Sequence, residues 1–155
     1  MHFSDLSPYR YAIKFSPPNV VNVGWLDRSM PYSRGSVPSG FADQLRKWFV
    51  KARVNQMRGL HECNFCRPRQ WPLLPLEENP DIRVGDKRLF LGNWEIWIPG
   101  ANDKVYASPA LIIHYIEEHA YCPPEEFMVA VMSEGALLDW QAEVTLQELT
   151  TRHVG

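Results

Sequence analysis

The sequence predicts a single α+β domain, built from a small antiparallel sheet and three to four helices around one zinc site. Short segments that alternate apolar and polar residues indicate strands, and apolar residues at three-to-four spacing indicate helices. A C-x-x-C pair followed by two histidines on one such helix indicates the metal site. With 45% hydrophobic and 22% charged residues, the chain can bury one core without disulfides. We therefore expect one domain over residues 1–155.

Two strands are predicted near the N-terminus. Residues 9–15 alternate aromatic or apolar side chains with polar ones, as a half-buried strand does. The sequence Ser-Pro-Pro-Asn at residues 16–19 ends this strand. Residues 20–26 predict the second strand, and Gly24 weakens its far end.

A helix and a proline-rich segment are expected next. The helix runs from Pro38 or Ser39 to about Arg53, with apolar residues on one face and polar residues on the other. Four prolines exclude regular structure from Arg67 to Asp81. We interpret this segment as an ordered loop, because too few residues remain for a second core.

Three strands and two helices are predicted in the second half. Ser108 as a side-chain cap and Pro109 at the first helical position start a helix that runs to about Ala120. A proline pair ends it, and a further helix is expected from Glu125 to about Met132, with acidic residues in its first turn. The strands are expected over residues 88–92, 94–98 and 104–107.

Four side chains offer the ligands of a structural zinc ion. Cys63 and Cys66 stand at C-x-x-C spacing, which lets both sulfurs reach one ion from a tight turn. His114 and His119 stand at H-x4-H spacing, within the window of two-Cys, two-His sites. Positions five apart lie about 140° apart around an ideal helix, so this helix must end or loosen near His119.

Other interpretations of these residues stay open. His61 and Cys122 compete for ligand positions because each lies close in sequence to an expected ligand. The thiols could instead be free core residues, with the histidines satisfied by hydrogen bonds. A thioredoxin-like redox pair is disfavoured, since a proline-rich segment rather than a helix follows the cysteines. The order of cysteine turn, hairpin and ligand-bearing helix resembles the treble-clef zinc arrangement.

The chain also resembles a family of small, uncharacterised bacterial domains. The motif G-x-H-x-C-x-x-C begins at Gly59, and Y-x-x-P-x-L-I-x-H-Y-I-x-x-H-x-Y-x-P-P-x-E-F begins at Tyr106. The resemblance covers residues 1 to about 131 and leaves a C-terminal extension, residues 132–155. It supports the two cysteines and the two helical histidines as a unit, and it does not identify a reaction.

The charges are distributed unevenly along the chain. From Tyr106 to Thr151 there is no lysine or arginine, while eight acidic residues accumulate. The region from residue 46 to residue 69 is basic instead and contains one acid, Glu62. This pattern can mean that one domain has two oppositely charged faces, or that the chain attracts a charged partner. The basic residues are Arg46, Lys47, Lys51, Arg53, Arg58, Arg67 and Arg69.

These features predict a non-enzymatic, zinc-stabilised module that binds a protein partner, in one version an immunity-type protein that covers a toxin's basic active site. The first alternative is a zinc domain that binds nucleic acid through the basic residues. The second is a zinc-dependent hydrolase, which would need an open coordination position. No apolar run is long enough for a membrane span, and the N-terminus lacks the pattern of a signal peptide. A cytoplasmic location without membrane association is expected.

Overall fold

The computed structural model describes residues 1–11, 16–66 and 79–152, which form an α+β fold with six strands and five helices. None of these helices is both long and apolar enough to cross a membrane. The strands are β1 (Val20–Asn22), β2 (Arg53–Val54), β3 (Asp81–Val84), β4 (Lys87–Phe90), β5 (Glu95–Pro99) and β6 (Val105–Pro109). The helices are α1 (Phe41–Lys51), α2 (Ile112–His119), α3 (Glu125–Val131), α4 (Glu134–Asp139) and α5 (Ala142–Thr151).

Four strands form a mixed sheet in the order β1-β6-β5-β2, and β3 pairs with β4 in a separate antiparallel hairpin. β6 is antiparallel to β5 but parallel to β1, with Val20 opposite Val105. The prediction of an antiparallel sheet is therefore wrong for β1, which pairs in parallel. These two strands are far apart in sequence, so no hairpin turn fixes their relative direction.

The core lies around the two central strands and α1. β6 is buried along its whole length, and β5 is buried except at its last residue. The apolar face predicted for α1 is buried, and the indole N–H of Trp48 donates to the carbonyl of Val131 at 2.8 Å. This bond joins α1 to the end of α3, so a single core includes both.

The C-terminal extension packs against this core. The Trp140 indole donates to the carbonyl of Trp97 at 2.7 Å, and Ala142 is buried. Trp140 and Gln141 adopt extended backbone angles, which separates α4 from α5. The count of five helices exceeds the predicted three to four for this reason.

The start of α2 differs from the prediction. Ser108 and Pro109 end β6, where Pro109 lies opposite Glu95, and the helix begins at Ile112. Proline at this position loses no sheet hydrogen bond when its nitrogen faces away from the partner strand. A Ser-Pro pair is therefore compatible with a strand end as well as with a helix start.

Two other strand predictions need correction. In the first predicted strand, the described residues 9–11 are not in a strand, although the Tyr9 N–H donates to the carbonyl of Val20 at 3.0 Å; residues 12–15 lie outside the described residues. The second ends at Asn22, before Gly24 with its positive φ of 75°. β3 begins where the proline-rich segment was expected to end, and residues 67–78 of that segment lie outside the described residues.

A buried carboxylate connects β5 to two other segments. Glu95 is 2% exposed and accepts hydrogen bonds from the Tyr9 hydroxyl at 2.9 Å, the Trp97 indole at 3.1 Å and the Asn55 amide at 3.3 Å. All three donors are neutral. Burial raises the pKa of Glu95 from 4.5 to about 7, because it outweighs the opposite effect of these hydrogen bonds.

We predict that this carboxyl group makes stability pH-dependent. The folded chain keeps the Glu95 proton to about pH 7, whereas the unfolded chain loses it near pH 4.5. The free energy of unfolding of the wild type therefore falls between these two pH values, and Glu95 causes no further fall above pH 7. Relative to wild type, the free energy of unfolding of Glu95→Gln will rise by about 3 kcal/mol from pH 4.5 to pH 7. Urea unfolding at several pH values measures this. The exposed control Glu143→Gln should run parallel to wild type, and a parallel Glu95→Gln curve would contradict the prediction.

Candidate metal centre

Two distant parts of the chain meet at the C-terminal end of α2. The Sγ atom of Cys63 lies 3.2 Å from Nε2 of His119. The Sγ atom of Cys66 lies 3.3 Å from Nε2 of His114 and 3.3 Å from Nε2 of His119. The ligand atoms of all four residues lie within 4.8 Å of one another. The four residues singled out from the sequence therefore form one cluster that could hold a metal ion.

The dimensions of the cluster fit a tetrahedral ion. With Zn–S bonds of about 2.3 Å and Zn–N bonds of about 2.0–2.1 Å, neighbouring ligand atoms are about 3.3–3.8 Å apart. Of the sulfur–nitrogen distances, 3.3 Å lies at the short end of that range and 3.2 Å lies just below it. A small outward movement of the side chains would therefore admit an ion between them.

The end of α2 explains how two histidines five positions apart reach one point. Ala120 has a φ of 52°, in the left-handed region, and the helix ends at His119. The N–H groups of Ala120 and Tyr121 both donate to the carbonyl of Tyr115, which closes the last turn. The prediction that the helix must end near His119 is confirmed.

Aromatic side chains support the cluster. The ring of Phe65, between the two cysteines, lies 5.1 Å from the His119 ring, 5.9 Å from Tyr115 and 5.3 Å from Tyr32. The Tyr32 hydroxyl donates to the carbonyl of His119 at 3.0 Å. None of these aromatic residues was predicted from the sequence to belong to the site. An aromatic residue inside the C-x-x-C turn was the one available indication.

The electrostatics of the cluster suit a cation. Burial raises the pKa of Cys63 to about 11, and a charge on Cys66 would add to this effect. Burial lowers the pKa of His114, with a further contribution from His119, and burial also lowers the pKa of His119. Neutral imidazoles present free lone pairs, and a bound cation reverses the thiol shift because it stabilises thiolates.

The two competing ligands lie elsewhere. The Nε2 atom of His61 is 3.2 Å from the hydroxyl of Tyr11. The Sγ atom of Cys122 is 3.8 Å from the carbonyl of Ser36. Neither residue is in the cluster found among the described residues.

Much of the predicted basic region is paired within the fold. Arg46 forms an ion pair with Glu117 of α2, and Lys47 lies 3.9 Å from a carboxylate oxygen of Glu134 in α4. The ammonium group of Lys51 donates to a backbone carbonyl of α4 at 3.1 Å. The basic helix α1 thus faces acidic elements of the same chain.

Two further basic residues of this region are described, Arg53 and Arg58. The Arg53 guanidinium lies 4.8 Å from the centre of the Trp94 ring, and Arg58 is exposed. Arg67 and Arg69 lie outside the described residues. The described part of the region therefore offers a smaller basic surface than the sequence indicates.

The chain belongs to a family of domains of unknown function, DUF7919, whose model matches residues 1–132. The matched residues include all four members of the cluster. The expected resemblance to an uncharacterised domain family is confirmed at this level. Comparisons with curated proteins and with solved structures found no match.

We predict that loss of one cluster residue unfolds the domain, whereas loss of the third cysteine does not. Cys63→Ser and His119→Ala remove a ligand from a site that would contribute folding free energy directly, so the melting temperature should fall by more than about 10 °C. Cys122→Ser should stay within about 2 °C of wild type, since its sulfur makes only long contacts. Calorimetry of the three variants, with bound metal measured in parallel, gives the comparison. An equally stable, metal-free Cys63→Ser protein would contradict the prediction.

Proposed function

We propose that this protein is a zinc-stabilised binding module that acts through a protein partner and not through catalysis. The observation that carries the proposal is the close grouping of two thiols and two imidazoles around one point. A two-sulfur, two-nitrogen set at tetrahedral spacing favours zinc over the harder cations magnesium and calcium, which prefer oxygen ligands.

The position of the ligands supports a structural role for the ion. The cysteine turn is followed by the β3–β4 hairpin, β5, β6 and then α2, which is the element order of a treble-clef-like site. The site departs from that arrangement at His119, which is the last residue of α2, whereas His114 lies in the first turn of the helix. Zinc here would join the cysteine turn to α2 and add to the contacts of Phe65 with Tyr115 and His119.

Four protein ligands leave no coordination position for a water nucleophile. A zinc hydrolase needs such a position and a nearby general base. Glu117 and Glu118 are exposed on α2, and Glu117 is already paired with Arg46. The coordination chemistry therefore favours a structural ion over a catalytic one.

The acidic third of the chain suggests the kind of partner. Its eight carboxylates, on α2 to α5, are all exposed. Glu117, Glu126 and Glu134 pair with basic residues of the same chain, and the other five can attract a basic protein surface. An immunity-type protein that covers the basic active site of a toxin is the specific version that we propose. Nucleic acid binding is less favoured, because Arg46, Lys47 and Lys51 are engaged by groups of the same chain. The acidic residues are Glu117, Glu118, Glu125, Glu126, Glu134, Asp139, Glu143 and Glu148.

Matched charge variants test this proposal. We predict that the tagged wild type retains a protein in one-to-one amount from its native cells, and that a Glu143→Lys, Glu148→Lys variant loses it. A Lys47→Gln, Arg58→Gln variant should retain the protein. Affinity for random-sequence DNA and RNA, measured at low salt, should be negligible in all three.

The opposite pattern would contradict the proposal. Salt-sensitive nucleic acid binding that is lost in the Lys47→Gln, Arg58→Gln variant, but kept in the acidic-site variant, would favour the alternative. A metal bound by only three protein ligands and a water would favour the hydrolase.

A further inference from the structure

A small cavity lies beside the cysteine segment, with His61, Glu62 and Asn64 in its lining. Its volume is about 50 Å³, and its walls come from the N-terminal segment, residues 55–64, the start of β5 and α2. A water needs about 10–15 Å³ by the same measure, so the cavity can accept a few non-hydrogen atoms. The walls include Tyr11, Trp25, Asn55, Trp94, Glu95 and Tyr115.

The walls of this cavity are held together by close backbone contacts. The N–H of His61 donates to the carbonyl of Gly92 at 2.6 Å, and the N–H of Met57 donates to the carbonyl of Asn93 at 2.6 Å. Gly92 has a φ of 113°, and a Cβ atom there would lie 2.3 Å from the carbonyl oxygen of His61. Only glycine allows this approach, so residues 57–61 are held in place beside β5.

The cavity presents a carboxylate without a cationic partner. Glu95 lies in its wall, and all the donors to Glu95 are neutral. Among the described residues, no lysine, arginine or histidine forms an ion pair with it. Within the described lining, the other charged or titratable groups are His61, Glu62, two tyrosines and the N-terminal ammonium, which pairs with Asp27. A buried carboxylate is costly unless it gains a counter-ion or a proton.

The aromatic walls add a second feature that favours a cation. Tyr11 and Trp25 pack with ring centres 4.7 Å apart, and Trp94 and Tyr115 complete the described aromatic lining. The faces of such rings attract a cation electrostatically, most strongly where water is excluded.

The hydrogen bonds at Glu95 distinguish between types of cation. A carboxylate offers about four lone-pair sites, and the Asn55 amide and the Trp97 indole occupy one site on each oxygen. The Tyr9 hydroxyl lies 3.1 Å from Oε1 and 2.9 Å from Oε2, so its single proton occupies a third site on one oxygen or the other. One site is left. A single N–H of an ammonium group fits it, whereas a guanidinium that binds through two parallel N–H groups does not.

We propose that this cavity binds a primary alkylammonium group, with the Glu95 carboxylate as its counter-ion. The group can belong to a free amine or to a lysine side chain of a partner. Glu95 and the aromatic walls recognise the same ammonium group in both cases.

A ligand series with the full-length, metal-loaded protein tests the proposal without any mutation. At pH 8, above the Glu95 pKa of about 7, so that the group is a carboxylate, calorimetric titration with n-butylammonium should show binding. The neutral isostere n-butanol and n-butylguanidinium should bind at least about tenfold more weakly. N-acetyl-lysine methylamide then separates the two sources. Binding as tight as that of n-butylammonium indicates a lysine side chain, and weaker binding indicates a free amine. Equal binding of n-butanol and n-butylammonium, or no binding of the amine, would overturn the proposal.

Two variants locate the site. Glu95→Gln removes the charge and should weaken n-butylammonium binding at least about tenfold, because a charged hydrogen-bond acceptor is lost. Glu143→Gln changes an exposed carboxylate outside the cavity lining and should leave the affinity unchanged. Unchanged affinity in a folded Glu95→Gln protein would overturn the assignment of this cavity. Should Glu95→Gln fail to fold, the wild-type ligand series decides alone.

Discussion

The structure depends on four side chains from two distant segments meeting at one point. Cys63 and Cys66 come from a turn without regular structure, whereas His114 lies in the first turn of α2 and His119 is its last residue. The hairpin, β5 and β6 lie between them in sequence, so the core must bring the turn to the helix. Without an ion, one buried thiol, one exposed thiol and two imidazoles with lowered pKa values would contribute little attraction across this contact. A divalent cation would convert the same contact into four strong bonds.

The site was predictable from the sequence to a greater extent than the sheet. Ligand chemistry is local, and two short spacings were sufficient to single out the four cluster residues. The choice of His114 and His119 over His61 and Cys122 depended on an expected end of the helix. The left-handed Ala120 provides that end, although nothing in an alanine indicates such a conformation.

The parts that could not be predicted depend on contacts between distant residues. β1 pairs in parallel with β6 because the core brings them together, and no local pattern encodes that direction. Ser108 and Pro109 satisfy the rules for a helix start but lie in a buried strand. The pairing of Arg46 and Lys47 with acids on α2 and α4 likewise requires the folded structure, which turns an uneven charge distribution into internal ion pairs.

The segment 61–66 contributes His61, Glu62 and Asn64 to the Glu95 cavity and Cys63 and Cys66 to the cluster. An ion at the cluster would therefore hold one wall of the cavity in place, and loss of the ion would loosen both the cluster and the cavity.

X-ray absorption spectroscopy at the zinc edge, with metal content measured on the same purified protein, tests the central claim most directly. The account predicts one zinc per chain, with two sulfurs at about 2.3 Å and two nitrogens at about 2.0–2.1 Å. A folded protein without metal, or a shell of oxygen and nitrogen only, would contradict it.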